Sequence, residues 1–105
     1  MTRPSPRPLR VDVVPGVDPV LVLVAGEADL ATVPELSRAL APLVGKRAQV
    51  DLSGVEFMDS TGLSVLLVHR HRSTQVGGDL KVISMSTAVG HLLDLAGVRE
   101  YLTTL

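Results

Sequence analysis

Cysteine and tryptophan are both absent from this 105-residue chain, and phenylalanine and tyrosine occur once each. Without cysteine there is no disulfide framework, no thiol nucleophile and no thiolate metal site. The near-absence of aromatics removes the stacking platforms on which recognition of RNA and single strands relies. Neither sign of charge dominates. Ten basic residues against eleven acidic ones leave a formal net charge of −1, which gives no bulk attraction to nucleic acid or anionic lipid. Long apolar runs are also missing. The longest, Val20 to Ala25, falls far short of the roughly 20 residues a spanning helix needs. The opening Met1 to Pro8 lacks the apolar run of a signal peptide. These absences predict a cytoplasmic protein with no membrane segment.

What is present is aliphatic: 17 Val and 17 Leu within a 46% hydrophobic composition. The length suits one domain, with a core large enough to fold without metal or disulfide support, and no cofactor is expected. Proline at alternate positions predicts a disordered Pro/Arg-rich tail over residues 1–8, followed by a single domain over 9–105.

Leu9, Val11 and Val13 alternate with Arg10 and Asp12, the period of a half-exposed strand. Pro15-Gly16 and Asp18-Pro19 supply a turn. The unbroken run Val20 to Val24 reads as a strand buried on both faces, so the two strands form an antiparallel hairpin. Leu36, Ala39, Leu40 and Leu43 then fall on one helical stripe, with Thr32 and Glu35 spaced as a capping box and Gly45 placed to end the helix. Ala48, Val50 and Leu52 mark a third strand. Leu63, Leu66, Leu67 and Arg70 mark a second helix closed by Gly77-Gly78. Leu80 to Ser84 is a fourth strand, Val89, Leu92, Leu93 and Ala96 a third helix stopped by Gly97, and Tyr101 to Leu105 a short edge strand. Strand–helix–strand units imply parallel pairing, so the fold class is α/β: a mixed sheet of four to five strands with packed helices. Whether the helices cover one face or both is left open by the pattern.

The most informative segment is Asp51-Leu52-Ser53-Gly54-Val55-Glu56-Phe57-Met58-Asp59-Ser60-Thr61-Gly62-Leu63. It reads as strand, loop and helix start, with three capping-competent side chains in a row at Asp59, Ser60 and Thr61. Gly62 leaves the first turn bare, so another molecule has room to approach Ser60. A serine at a helix start is most often only a cap, and Phe57 and Met58 are more often core plugs than interface anchors.

The segment from Val50 to Leu63 resembles the STAS family, and within it the bacterial single-domain anti-sigma factor antagonists. The turn Gly26-Glu27-Ala28-Asp29 and the run Gly77-Gly78-Asp79-Leu80 support the resemblance, which extends from about Leu9 to Leu105. It implies a non-enzymatic binding module in a partner-switching cycle. In that cycle an anti-sigma factor serine kinase binds the antagonist, releases its sigma factor and phosphorylates Ser60, and a serine phosphatase restores the hydroxyl. The residues carried over as partner-binding are Asp29, Met58, Asp59, Ser60, Thr61 and Gly62. Asp29 serves equally as a loop anchor or cap. The family turn commonly reads Gly-Glu-Leu/Ile-Asp, and the smaller Ala28 predicts weaker packing here. An alternative within the fold is a STAS regulatory subunit of a transport or stress-signalling complex, docking without phosphorylation. Enzyme chemistry at Asp59 or Ser60 finds no base: His91 stands alone on the third helix. His69 and His71, two apart on a helix, do not face one metal ion. The basic run from His69 to Arg72 complements the dipole at the helix end.

Overall fold

The computed structural model describes residues 8–14, 16 and 18–104. The elements run β1 (Arg10–Val14), β2 (Val20–Ala28), α1 (Val33–Leu40), a 3₁₀ turn (Ala41–Leu43), β3 (Arg47–Met58), α2 (Ser60–Thr74), β4 (Asp79–Met85), α3 (Thr87–Ala96) and α4 (Arg99–Thr103). The four strands form one sheet in the order β1-β2-β3-β4. β1 and β2 are the expected antiparallel hairpin, while β2–β3 and β3–β4 are parallel. Residues 1–7 of the expected tail lie outside the described residues, as do Pro15 and Val17 of the hairpin turn and Leu105.

Helices cover one face of the sheet. Val22, Val24, Val50, Leu52, Leu80 and Val82 point into a single core with Leu36, Leu40, Leu66, Val89, Leu93 and Leu102. The intervening residues Leu23, Gln49, Asp51 and Lys81 are only half-buried or exposed. The run Val20 to Val24 is therefore not buried on both faces, since Leu23 is 38% exposed. An apolar run reports strand propensity, but burial on the second face needs a layer that this topology does not supply.

Three local expectations change in the folded chain. The Thr32–Glu35 capping box does not form. The Thr32 hydroxyl turns back to donate to the Glu27 carbonyl at 2.6 Å and accepts from the Asp29 amide at 3.0 Å, while Glu35 pairs with Arg38 at 3.2 Å. α1 ends at Leu40, and the chain continues through the 3₁₀ turn before Gly45, at φ 87°, breaks the helical path. The described segment after Gly97 is helix rather than edge strand, so among the described residues the sheet has four strands.

Arg70 of α2 accounts for that last helix. Its guanidinium donates to the Thr104 carbonyl at 2.8 Å and to the Tyr101 carbonyl, lies 4.3 Å from the centre of the Tyr101 ring, and stands 3.4 Å from the Asp79 carboxylate. The last carbonyls of a helix lack intrahelical donors, and here a buried arginine from another element supplies them. Arg70 is thus a structural staple, not an exposed dipole partner. Ser73 ties the other loop, accepting from the Gly45 amide at 3.0 Å and donating to the Lys46 carbonyl at 3.3 Å.

Two measurements test this packing. Arg70→Ala strips α4 of its carbonyl donors and leaves Asp79 unpaired, and is expected to cost about 3 kcal/mol in urea unfolding; a loss within 0.5 kcal/mol (~the range of exposed sites) contradicts the staple. His69 is only 6% exposed, and its Nε2 has no hydrogen-bond partner. Burial first, and the charge of Arg72 second, push its imidazole below the ordinary value of 6.5. The unfolded chain then binds a proton that the folded chain refuses. This contribution to stability is present above pH 6.5 and is lost as the pH falls through the folded value. Thermal midpoints should drop on acidification in the wild type and drop less in His69→Leu. Equal slopes in the two proteins reject the assignment.

Candidate functional site

β2 and β3 run side by side to their C-terminal ends, where Glu27 pairs with Phe57 and Ala28 with Met58. The chains then leave the sheet as two adjoining turns, 29–32 and 59–62. They are pinned to each other by the Asp59 amide, which donates to the Ala28 carbonyl at 3.2 Å.

Asp59 is the N-cap of α2. One carboxylate oxygen, Oδ1, accepts from the Thr61 amide at 2.9 Å, from the Gly62 amide at 3.2 Å and from the Thr61 hydroxyl. The Thr61 hydroxyl is the main reason that the Asp59 carboxyl is held below its usual range; partial burial opposes the shift and the amides assist it. Of the three capping-competent side chains, only Asp59 acts as the cap. Thr61 braces it, and Ser60 stands apart. Ser60 is the first residue of α2 and is exposed, and among the described residues its hydroxyl has no partner. The structure thus separates two adjacent hydroxyls: Thr61 is committed to Asp59, while Ser60 is open to solvent.

Gly62 has a different role from the one its sequence position suggests. It is buried, and a Cβ there would stand 3.0 Å from the Ala28 carbonyl oxygen, 3.0 Å from Met58 Cγ and 3.2 Å from Ala28 Cβ. Its missing side chain lets α2 settle on the end of β2 and does not clear a path to Ser60. Ala28 is fully buried under that turn, so a small residue meets a glycine in close contact, and the weaker packing expected from Ala28 is not seen. Met58 is 6% exposed and belongs to the core, whereas Phe57 is 47% exposed. Only one of the two expected plugs is therefore in the core.

Asp29 anchors its own turn. Its Oδ1 accepts from the Ala31 amide at 3.0 Å and the Thr32 amide at 3.1 Å, and its carbonyl accepts from Val33 at 2.8 Å. This brings Asp29, Asp59, Ser60 and Thr61 together on two fixed turns, with Met58 and Gly62 packed beneath. Sequence reading did not single out Leu30. It lies next to Asp29 at the tip of the first turn and is 75% exposed; a lone leucine in a polar turn was the available signal.

The pattern of the STAS_2 family, described as the Mlab, STAS domain, matches residues 14–104. An anti-sigma-B factor antagonist of Bacillus subtilis (strain 168) is 33% identical over 94 residues, covering 88% of this chain and 86% of that protein. A crystal structure of an anti-sigma factor antagonist from Mycobacterium paratuberculosis matches with a TM-score of 0.79 at 27% identity, over 90% of this chain and 82% of that one. SpoIIAA matches with a TM-score of 0.73 unphosphorylated (91% of this chain, 85% of that one). The phosphorylated Bacillus form gives 0.70 (90% and 89%). Each SpoIIAA match is at 16% identity, a likeness of fold alone. The chain belongs to the STAS domain family, in the group of the anti-sigma factor antagonists.

The cap and the close contact beneath it are separable by mutation. Asp59→Ala removes acceptors from two amides and a hydroxyl and is expected to cost about 1–2 kcal/mol. Gly62→Ala forces a methyl against the Ala28 backbone and is expected to cost about 1–3 kcal/mol. Denaturant titrations that find Gly62→Ala neutral would show that α2 does not rest on β2 in this way.

Proposed function

We propose that this chain is a cytoplasmic anti-sigma factor antagonist. It binds a serine-kinase anti-sigma factor so that the sigma factor is released, and phosphorylation of Ser60 switches it off. The observation that carries the reading is the free, exposed Ser60 hydroxyl beside an Asp59 cap already satisfied within the protein. In the transfer, Ser60 Oγ attacks the terminal phosphorus of the kinase's ATP. The bond from that phosphorus to the bridging oxygen breaks, ADP leaves, and the hydroxyl proton passes to a base on the kinase. A serine phosphatase resets the cycle.

The phosphate adds about −1.5 to −2 charge and three acceptor oxygens. The positive end of the α2 dipole favours it there. The Thr61 and Gly62 amides are already held by Asp59, so they are not free to receive it and draw it inward. The new charge stays on the surface and faces the diphosphate of the spent nucleotide. The off state therefore requires no refolding. Consistent with a soluble regulator, no helix among the described residues is long and apolar enough to cross a membrane.

A second reading draws on the family description, Mlab: a STAS regulatory subunit of a transport or stress-signalling complex, docking without phosphorylation. The open Ser60 hydroxyl favours the first. With the cognate kinase and ATP, mass spectrometry is expected to place phosphate on Ser60 and not on Thr61. Ser60→Ala should abolish modification and retain kinase binding, whereas Thr61→Val should still be phosphorylated. Phosphate on Thr61 rejects the site, and unimpaired kinase binding by the phosphorylated chain rejects the switch.

A further inference from the structure

Two large apolar side chains, one on the turn after β2 and one at the end of β3, have no role in the core. Leu30 is 75% exposed, and Phe57, the chain's only phenylalanine, is 47% exposed. Single exposed leucines are ordinary; the way these two are held is not. Leu30 sits at the tip of a turn fixed by the Asp29 carboxylate on the Ala31 and Thr32 amides, and by the Thr32 hydroxyl on the Glu27 carbonyl. Phe57 is locked in strand register beside Glu27, on the face opposite Ala28 and Met58. The Asp59–Ala28 hydrogen bond joins the two pieces into one platform. Anchors presented on a fixed backbone lose little conformational freedom when they are buried in a complex.

The charges on the two chain segments that carry them have one sign. From Val11 to Ser37 and from Ala48 to Val68 the chain has no Lys, Arg or His. Glu27, Asp29 and Asp59 all lie at this end of the β2–β3 pair. A surface complementary to this platform has an apolar pocket bordered by cationic side chains. We infer that Leu30 and Phe57 are the apolar anchors of the partner-binding face, and that the kinase presents there an apolar pocket ringed by Arg or Lys. This rests on the kinase-binding reading above.

The test is kinetic, with the full chain and the recombinant, nucleotide-loaded anti-sigma serine kinase of the same organism. Leu30→Ser and Phe57→Ser are expected to raise Kd at least tenfold, mainly through faster dissociation. Val76→Ser, an exposed apolar position outside both turns, serves as the control and should be silent. Glu27→Lys is expected to slow association severalfold at 50 mM salt (roughly a 14 Å Debye length), with the effect fading at 300 mM (roughly 6 Å). Thermal melts confirm that each variant is folded, and Leu30→Lys provides a second probe at the same position. If both serine variants bind like the wild type while Ser60 is still phosphorylated, the anchors are rejected and the kinase reading stands. If Glu27→Lys associates at wild-type speed at low salt, the cationic ring is rejected. If the wild-type chain neither binds the kinase nor accepts phosphate, the kinase reading fails and the anchor assignment falls with it.

Discussion

The end of the molecule that carries Ser60 depends on the parallel pairing of β2 with β3 beyond the reach of β4. β4 is last in register with β3 at Leu52–Met85, yet β3 continues to Met58 with β2 as its sheet neighbour. Gly54 makes that extension possible, because a Cβ there would stand 2.9 Å from the Ala25 side chain. Once Ala28 and Met58 are paired, the Asp59 amide reaches the Ala28 carbonyl, the Asp59 carboxylate organises the first turn of α2, and Gly62 lets that turn rest on Ala28. The position of Ser60 is thus inherited from strand register, so a hydroxyl in what reads as a loop has the precision of the sheet.

Features set by neighbours along the chain were legible in the sequence. In the stripe Leu36, Ala39, Leu40 and Leu43 the three leucines are buried as the spacing requires and Ala39 is half-buried, Asp59 caps α2, and Gly97 ends α3 in the left-handed conformation with φ 71°. Features set by distant residues were not. α4 exists as a helix because Arg70, more than 30 positions earlier, supplies donors to its last carbonyls, and no period in five residues encodes that. Thr32 abandons its box for the Glu27 carbonyl, which strand pairing brings within reach. Gly62 looked like an opening toward a partner because its burial depends on Ala28, 34 positions away. At the site, the residues marked in the sequence, Asp29 and Met58 to Gly62, come together at one end of the β2–β3 pair. What the sequence could not show was the division of labour between two adjacent hydroxyls, because that depends on the direction in which the Asp59 carboxylate points.

The proposed switch has to reconcile an acidic docking face with an acidic modification. A partner ringed with cations attracts the unmodified chain, and at a distance it attracts the phosphorylated chain at least as strongly, because the added charge has the same sign as Glu27, Asp29 and Asp59. Long-range steering therefore cannot tell the two forms apart. Discrimination has to arise at contact, where the phosphate on Ser60 meets the phosphates of the nucleotide just consumed, at short range and out of water, where like charges repel most strongly. The two forms then differ mainly in how fast they leave and much less in how fast they arrive. This division suits the geometry. In the proposed scheme the apolar anchors and the acidic residues are ones that phosphorylation does not touch, and the one group that would change lies on the first turn of α2, next to its Asp59 cap.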